Sequence, residues 1–467
     1  MKKYLIETYG CQMNVHDSER MAGLLEQAGY QRTEEDHEAD VLVINTCSVR
    51  EHAEDKLYTR LGQLRVLTEE TGRRPLVAVA GCVAQQEGNA LLRNSNGRVI
   101  DVIVGTQRVK MLPTLIAQAS AARGPLADGG GAPGLPTIAI DPLDDVTFPL
   151  GLTRRGDPVK AFVTIIEGCN DHCAFCVVPY TRGHERMRAK RDILAEVEEA
   201  VAAGRREVQL LGQIVNHYRA PDDPRCDFAG LLAAVHDVPG VERIRFASPH
   251  PRHTGPALIE AVRDLPKVCK HLHLPVQSGS SRILKAMRRR HTREEYLELL
   301  GRLRAAIPGI ALSTDMIVGF PGESAADFEE TLSLTAAAQY HSMFSFKYSV
   351  RPNTLASKRL RDDVPDAEKT RRIVALQAMQ REIQTRLHEQ AIGSEVQVLI
   401  DSYSRRETGE VSGRTSGNSV VSFRPPLTDI TDAALARLLG RTAAVRITRA
   451  GPHSLSGEVT AMPSNGG

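Results

Sequence analysis

Three cysteines lie within eight residues of the chain, at Cys169, Cys173 and Cys176. They come directly after the apolar run at 161–166, in the segment EGCNDHCAFCVVPYTRGHERMR. Thiolates this close in sequence can reach one metal centre without help from the rest of the fold. Three thiolates leave one iron of a four-iron cluster without a protein ligand, and such an open iron can bind a substrate. The spacing therefore favours an iron–sulfur site.

Two other uses of these cysteines have to be weighed. His172 lies in the same loop, so a zinc site with three cysteines and one histidine is chemically possible. Structural zinc sites usually contain paired Cys-x-x-Cys units, whereas this spacing is uneven and has no second pair nearby. A disulfide framework is disfavoured because eight cysteines in 467 residues are sparse. Zinc stays open as the alternative to an iron–sulfur cluster.

A second set of cysteines follows three apolar runs in the first 110 residues. Cys11, Cys47 and Cys82 each come shortly after such a run. The runs occupy residues 4–6, 41–44 and 76–80. They are typical of buried parallel strands, and the loops after parallel strands share one edge of the sheet. One such cysteine alone is typical of a core residue, but three in the same position jointly predict a second cluster with three protein ligands.

The cysteine motifs resemble those of a known superfamily. Cys-x-x-x-Cys-x-aromatic-Cys, with Phe175 as the aromatic residue, is similar to the signature of the radical S-adenosylmethionine (SAM) superfamily. The words GCNDHCAFCVVPYTRG resemble more narrowly the MiaB-type tRNA methylthiotransferases, and TYGCQMN, INTCSVR and GCVAQ resemble the cysteine motifs of their N-terminal domain. The resemblance implies two 4Fe-4S clusters and SAM as cofactors. In that family the open iron of the first cluster chelates SAM, and the sulfur to be transferred is held at the second.

Alternating strands and helices must position the first cysteine loop. The predicted strands of the central region are 161–166, 207–211, 243–246, 272–274, 311–318 and 343–346. They indicate a partial (β/α)6 barrel with its chemistry at the carboxyl ends of the strands. The motifs GQIVN, PVQSGS and GFPGE all follow strands. The resemblance implies that SAM is contacted by Phe175, Gln213, Gln277, Ser278 and Asp315, although a turn or strand-end hydrogen bond is an equally good account of each polar residue.

The C-terminal segment changes to short strands and turns after Gly393, which predicts a small β-barrel. VLIDSYSRRETGEVSGRTSGNSVVSF resembles the TRAM domain, an RNA-binding barrel of tRNA-modifying enzymes. A net charge of +2 gives no global attraction to nucleic acid, so RNA contacts must be local. The candidate phosphate ligands are Arg288, Arg289, Arg290, Arg405, Arg406 and Arg414.

At 467 residues the chain is too long for one core. We predict an α/β protein with an N-terminal parallel α/β domain, a central radical SAM barrel and a C-terminal barrel. The expected boundaries are 1–118 for the first domain, 119–148 for a flexible linker, 149–390 for the radical SAM core with its connecting helix and 391–461 for the TRAM-like barrel. No apolar run approaches the length of a membrane span, so we expect a cytoplasmic protein without a membrane partner.

The resemblance implies an enzyme that methylthiolates C2 of N6-isopentenyladenosine at position 37 of tRNA, within the anticodon stem-loop. SAM would serve both as methyl donor and as the source of a 5′-deoxyadenosyl radical. A low-potential electron donor and a sulfur donor are also implied, and no catalytic side-chain acid or base is required.

Three alternatives remain. Related enzymes methylthiolate threonylcarbamoyl-adenosine in tRNA, and others methylthiolate an aspartate of a ribosomal protein. The non-enzymatic alternative is an iron–sulfur RNA-binding protein, which would not cleave SAM.

Overall fold

The computed structural model describes residues 1–48, 51–72, 74–93, 95–123, 136–143, 147–404, 407–427 and 430–462. These residues form two compact units. The first comprises Met1–Gly156, Ile166–His172 and Cys176–Arg188, and the second comprises Asp157–Ile165, Cys173–Phe175 and Ala189–Gly467. Within the described ranges, no helix has the length and apolar character needed to cross a membrane.

The first unit is built on a parallel sheet. Its elements are, in chain order, β1 (Lys3–Tyr9), α1 (Gln12–Gln27), β2 (Gln31–Arg32), β3 (Val41–Thr46), α2 (Glu51–Thr71), β4 (Leu76–Gly81), α3 (Cys82–Glu87), β5 (Val102–Val104), α4 (Leu112–Ala122) and β6 (Thr137–Ala139). Short 3-10 helices lie at Asp36–Glu38, Gly88–Arg93, Ser95–Val99 and Thr106–Met111. The described strands follow the order β2-β1-β3-β4-β5-β6, and every neighbouring pair is parallel. The three strands that precede Cys11, Cys47 and Cys82 are therefore immediate neighbours.

Strand β3 shows why this sheet is buried on both faces. All of its residues are buried, as expected for a parallel strand covered by helices on each side. Val41 and Val43 belong to one apolar cluster, together with Met21 of α1. Leu42 and Ile44 belong to the other cluster. The alternation follows from the two-residue period of a strand, and it places the sheet between two layers of core.

The predicted linker at 119–148 contains regular structure. Helix α4 continues to Ala122, and Thr137–Ala139 pairs in parallel with β5 as the sixth strand of the sheet. Ile138 of this strand packs against the second apolar cluster, and this contact stabilises the strand at the open edge of β5. The linker prediction is therefore wrong for the helical residues and for this strand. Residues 124–135 and 144–146, which it also covers, lie outside the described residues.

The central region continues the alternation of strands and helices. Its elements are β7 (Lys160–Thr164), β8 (Ile166–Glu167), α5 (Val178–Thr181), β9 (Arg186–Met187), α6 (Lys190–Ala202), β10 (Glu207–Leu211), β11 (Arg219–Ala220), β12 (Asp223–Asp227), α7 (Phe228–Asp237), β13 (Arg243–Phe246), α8 (Pro256–Asp264), β14 (His271–His273), α9 (Ser281–Ala286), α10 (Arg293–Ala306), β15 (Ala311–Val318), α11 (Ala325–Ala338), β16 (Ser342–Lys347), α12 (Leu355–Arg359) and α13 (Asp366–Glu389). Further 3-10 helices lie at Val215–His217 and Pro251–His253. All six predicted strands are present with nearly the predicted bounds.

These six strands form two parallel sheets, in the orders β13-β10-β7 and β14-β15-β16. A parallel bridge between Ile244 and Val268 links the two along the chain. Ile244 donates to the carbonyl of Lys267 and accepts from the amide of Cys269, so the chain pairs with β13 just before β14 begins. The predicted (β/α)6 order is confirmed, with an interruption between its third and fourth strands.

The C-terminal residues close into a barrel. Its elements are β17 (Glu395–Tyr403), β18 (Val411–Thr415), β19 (Val420–Arg424), α14 (Asp432–Ala436), β20 (Thr442–Ala450) and β21 (Leu455–Ala461). The described strands follow the closed order β17-β18-β19-β21-β20. Val398, Val421 and Phe423 are among the apolar side chains that fill its interior. The prediction of a small β-barrel is confirmed.

Two arginines of β13 hold this barrel within the second unit. Arg243 donates to the carbonyl oxygens of Arg414 and Gln397. Arg245 donates to the carbonyl of Thr415 at 2.7 Å and also to that of Ser416. The turn after β18 is thus bound to β13.

Candidate functional site

The N-terminal cysteines lie at the carboxyl ends of three neighbouring strands. Cys11 follows β1 and precedes α1, Cys47 follows β3, and Cys82 begins α3 directly after β4. The thiol of Cys47 shares hydrogen bonds with the thiols of both Cys11 and Cys82. The amide of Cys47 also donates to the carbonyl of Tyr9 at 2.9 Å, which fixes its loop against β1. The three side chains meet at one edge of the sheet.

Hydrogen bonding polarises these thiols. The bond to Cys47 lowers the pKa of Cys11 to about 6 and that of Cys82 to about 7, although burial opposes the change. The same two bonds raise the pKa of Cys47 far above its ordinary value. The charge of buried Arg182 lowers the pKa of Cys11 and Cys82 further, and its guanidinium is held by Asp17 at 2.7 Å. A fixed positive charge therefore favours the ionised form of each of these two thiols.

Thiolate sulfur is the ligand type that iron–sulfur clusters use. Three converging thiols beside a buried guanidinium therefore fit a cluster with three protein ligands. The side chains in the described ranges include no group of three His, Cys, Asp or Glu that could hold a single metal ion. The thiols share an edge of the sheet without forming such an ion site.

Two buried asparagines lock the cysteine loops together. The side-chain oxygen of Asn14 accepts from the thiol of Cys11 at 3.3 Å. The amide nitrogen of Asn14 donates to Asn45 Oδ1 at 3.2 Å, and Asn45 Nδ2 donates back to the carbonyl of Asn14 at 2.8 Å. Sequence reasoning did not find this mutual contact, although each asparagine stands three residues or fewer from a cysteine in the same motif.

The cysteine loop at 169–176 leads from β8 into α5. Cys169 is buried, and Cys173 and Cys176 are half-buried. In the first unit, the amide of Cys169 donates to the carbonyl of Gly183 at 3.1 Å. In the second unit, Arg289 Nη1 lies 3.6 Å from the sulfur of Cys173. Cys169 and Cys173 thus each make a polar contact within their own unit.

Arg289 differs from its predicted place in an exposed basic run. Its side chain is buried, and Nη2 donates to the carbonyl of Pro275 at 2.7 Å. Arg288 and Arg290 on either side are exposed, and both adopt positive φ angles. The chain turns left-handed before and after Arg289, which directs the middle side chain inward to the cysteine loop. Only the flanking two are left at the surface.

The predicted SAM residues lie in the loops after several strands and, for Asp315, within β15. Phe175 packs against an apolar cluster that includes Met287 and Phe320. Gln277 has a φ of 79°, and its amide donates to the carbonyl of Asp315 at 3.0 Å. Gln213 is half-buried after β10.

Ser278 is fully buried, and its hydroxyl accepts from the amide of Ser280 at 3.2 Å. Its side chain therefore shapes the PVQSGS turn.

A chain of polar side chains, which sequence reasoning missed, leads to Asp315. The hydroxyl of Ser313 lies 2.9 Å from both His271 Nε2 and His273 Nδ1. His273 Nε2 lies 3.3 Å from Asp315 Oδ1. Burial lowers the pKa of His271 to about 3, so this ring is neutral at pH 7. The signal was available in HLH and STD, because their alternate residues share one face when the two strands pair.

The structure describes one of the three predicted arginines of the C-terminal barrel. Arg414 is half-buried, donates to the carbonyl of Asn418 at 3.2 Å and lies 3.8 Å from Asp401. Arg405 and Arg406 lie outside the described residues.

Three family models match the chain. The "Uncharacterized protein family UPF0004" matches residues 3–105, the "Radical SAM superfamily" matches 163–335, and the "TRAM domain" matches 389–460. Among solved structures, the radical SAM methyltransferase TsrM from Kitasatospora setae, with cobalamin and a [4Fe-4S] cluster bound, has a TM-score of 0.52 at 15% identity. The match covers 94% of this chain and 82% of that chain. This likeness concerns the fold.

Curated relatives match over nearly the full length. A "tRNA-2-methylthio-N(6)-dimethylallyladenosine synthase" from Solibacter usitatus is 41% identical, with 99% of this chain and 98% of the relative covered. A relative of the same name from Sorangium cellulosum is 44% identical, with 98% and 94% covered. Membership of this group implies 4Fe-4S clusters and SAM as cofactors. The chain thus belongs to the radical SAM methylthiotransferase family of the tRNA-2-methylthio-N(6)-dimethylallyladenosine synthases.

Proposed function

We propose that this enzyme attaches a methylthio group to C2 of N6-isopentenyladenosine at position 37 of tRNA, and that SAM is both methyl donor and radical source. The observation that carries the proposal is the meeting of Cys11, Cys47 and Cys82 in a chain that also contains the radical SAM cysteine loop. One thiol set serves SAM cleavage, and the other serves the sulfur to be transferred. Full-length identity to the synthases supports the choice of substrate.

Each cysteine set acts as the ligand set of one cluster. Cys169, Cys173 and Cys176 hold the first, and the N-terminal three cysteines hold the second. When bound in the first loop, a 4Fe-4S cluster supplies the electron that cleaves SAM to methionine and a 5′-deoxyadenosyl radical. Arg289 offsets negative charge at the first site, where its guanidinium lies beside Cys173. Arg182 does so at the second, where its charge acts on two of the thiols.

The remaining predicted contacts orient SAM. Gln213 and Gln277 offer amide groups, and Asp315 offers a carboxylate that His273 holds at 3.3 Å. Phe175 shields the cluster from water through its packing in an apolar layer. The scheme uses no side chain as a general acid or base.

RNA binding is assigned to arginines in two parts of the chain. Arg288 and Arg290 lie at the surface beside the inward-facing Arg289. Arg405, Arg406 and Arg414 are the corresponding candidates in the barrel, which is of the TRAM type. Guanidinium groups suit bidentate phosphate contact in the anticodon stem-loop.

The reaction also needs a low-potential electron donor and a sulfur donor. We place the reaction in the cytoplasm, where thiols stay reduced.

The decisive experiment is anaerobic turnover of the iron-reconstituted protein with SAM, a reductant, sulfide and isopentenylated tRNA, read by mass spectrometry of nucleosides. We expect a 2-methylthio-N6-isopentenyladenosine product that is absent after Cys11→Ala or Cys173→Ala. Deoxyadenosine release without this product would refute the assignment of isopentenylated tRNA as the substrate. Parallel assays with threonylcarbamoyl-adenosine tRNA and with ribosomal proteins would then identify the alternative. Absence of SAM cleavage would refute the enzyme and favour the RNA-binding alternative.

A further inference from the structure

The last strand of the central region presents two exposed phenylalanines on one face. Phe344 and Phe346 of β16 are 54% and 39% exposed, although large aromatic side chains are normally buried. In the parallel pairing with β15, Phe344 stands opposite Asp315 and Phe346 stands opposite Ile317. Paired residues of adjacent strands point to the same side of a sheet. The two rings therefore share a face with the predicted SAM contact Asp315.

The fold's own helices cover the other face of β16. Ser345 accepts a hydrogen bond from Gln377 of α13 at 3.0 Å, and Lys347 pairs with Asp366 of α13 at 2.8 Å. The exposed rings point away from this helix. The two rings are therefore accessible to a bound molecule on the face of β16 that α13 does not cover.

Two contacts define the surroundings of the rings. The ring of His273 meets Phe344 edge-on, with centroids 6.0 Å apart. Ile317, which neighbours Phe346 in the pairing, packs against the same apolar cluster as Phe175 of the cysteine loop. The aromatic face is thus continuous with the loop that contains Cys173. A ligand on this face would lie next to the radical chemistry.

The chemistry of the proposed substrate matches this surface. An enzyme that acts on a base within RNA must take the base out of its stack and bind it against aromatic or apolar side chains. The base in question has a flat ring and an apolar five-carbon substituent on N6. Two adjacent phenylalanine rings offer a stacking platform and an apolar contact, whereas phosphate or sugar would prefer charged or polar groups.

We propose that Phe344 and Phe346 form the surface that contacts the flipped adenine and its N6-isopentenyl group, and that they select for the prenylated base. This inference rests on the proposed function. Loss of one stacked ring weakens binding of a base by about 5- to 150-fold. Unmodified adenine has no apolar substituent in contact with the two rings, so its binding falls less when a ring is removed. The preference of the enzyme for prenylated RNA therefore shrinks.

The test compares holoenzyme variants in binding of an isopentenylated anticodon stem-loop and of the same stem-loop without the modification. Phe344→Ala and Phe346→Ala are each expected to weaken binding of the modified RNA by about 5- to 150-fold and to reduce the ratio between the two RNAs. Phe344→Tyr is expected to restore the ratio because it restores a ring. Val374→Ala serves as the control, since Val374 is an exposed apolar residue on α13. Iron content and binding of labelled SAM should match wild type in every variant.

An unchanged ratio in the double alanine variant would overturn the proposal. The proposal would also be overturned if the alanine variants lost SAM binding in the absence of RNA to the same degree as they lost RNA binding. That result would assign the aromatic face to the cofactor. Wild-type enzyme that binds both RNAs equally would have the same effect. If wild type makes no methylthio product from isopentenylated tRNA, the proposed function itself fails, and that result is separate because the turnover assay does not involve these variants.

Discussion

Removing Arg245 should weaken the attachment of the C-terminal barrel to the central region. Its side chain and that of Glu207 are 7% and 2% exposed, and Nε lies 3.0 Å from the carboxylate. The same guanidinium donates to the carbonyls of Thr415 and Ser416 in the turn after β18. Arg245→Ala therefore deletes one member of a buried ion pair and two hydrogen bonds to the barrel.

The cost can be worked from these contacts. Removing one partner of a buried pair destabilises a protein by about 3–5 kcal/mol, because the other charge is left without compensation. Lys160 Nζ remains 3.8 Å from Glu207 and compensates part of the charge, so we expect the lower end, about 3 kcal/mol. That loss corresponds to an opening constant about 150-fold larger. Arg245→Lys keeps the charge without the planar fork and should fall between alanine and wild type.

Native-state hydrogen exchange read by peptide mass spectrometry is the assay. Amides of β13 and of the β18–β19 hairpin should exchange about 150-fold faster in Arg245→Ala. Arg263→Ala is the matched control, because it removes an arginine from an exposed pair with Asp264 on α8. The reasoning would be refuted if the hairpin amides of Arg245→Ala exchanged at the wild-type rate and those of the control did so too.

Three further variants test other parts of the structure. Gly279→Ala should reduce SAM binding and thermal stability because a Cβ there would overlap backbone atoms of α11, whereas Gly301→Ala has open space around it and should raise stability slightly; equal melting temperatures would contradict this. Arg289→Met should reduce iron retention at the cysteine loop, whereas Arg290→Met should leave it at the wild-type level, as measured by iron content after desalting. Burial lowers the pKa of His341 to about 4, below the unfolded value of 6.5, so its stabilisation is complete above pH 6.5 and is lost as pH falls toward 4. His341→Asn should therefore weaken the loss of urea resistance between pH 7 and 5, and an unchanged pH dependence would contradict the assignment.

Local patterns were sufficient to predict the architecture. Buried runs such as Val41–Thr46 and Leu76–Gly81 have the continuous apolar character of parallel strands, so their type and their neighbours could be inferred. The convergence of the N-terminal thiols followed from the shared edge of such a sheet. Thr137–Ala139 was not found because three residues in a Gly- and Pro-rich stretch carry too little pattern, and only the open edge of β5 gives them a partner.

Side-chain direction was the part that sequence could not supply. Arg289 stands in a run of three arginines, and only the left-handed turns at its neighbours direct it to Cys173. His273 and Asp315 are 42 residues apart, and the pairing of β14 with β15 is needed to bring them together. Tertiary pairing of this kind is not encoded in any short motif.

The central proposal is that two cysteine triads each hold one cluster and that the two clusters have different roles. Iron and SAM cleavage should be measured in parallel on wild type and on two triple alanine variants, one for Cys11, Cys47 and Cys82 and one for the 169–176 loop. We expect about eight irons per chain in wild type and about four in each variant. The first variant should still release deoxyadenosine without methylthio product, and the second should release none. A first variant that keeps all its iron, or still forms the methylthio product, would contradict the account.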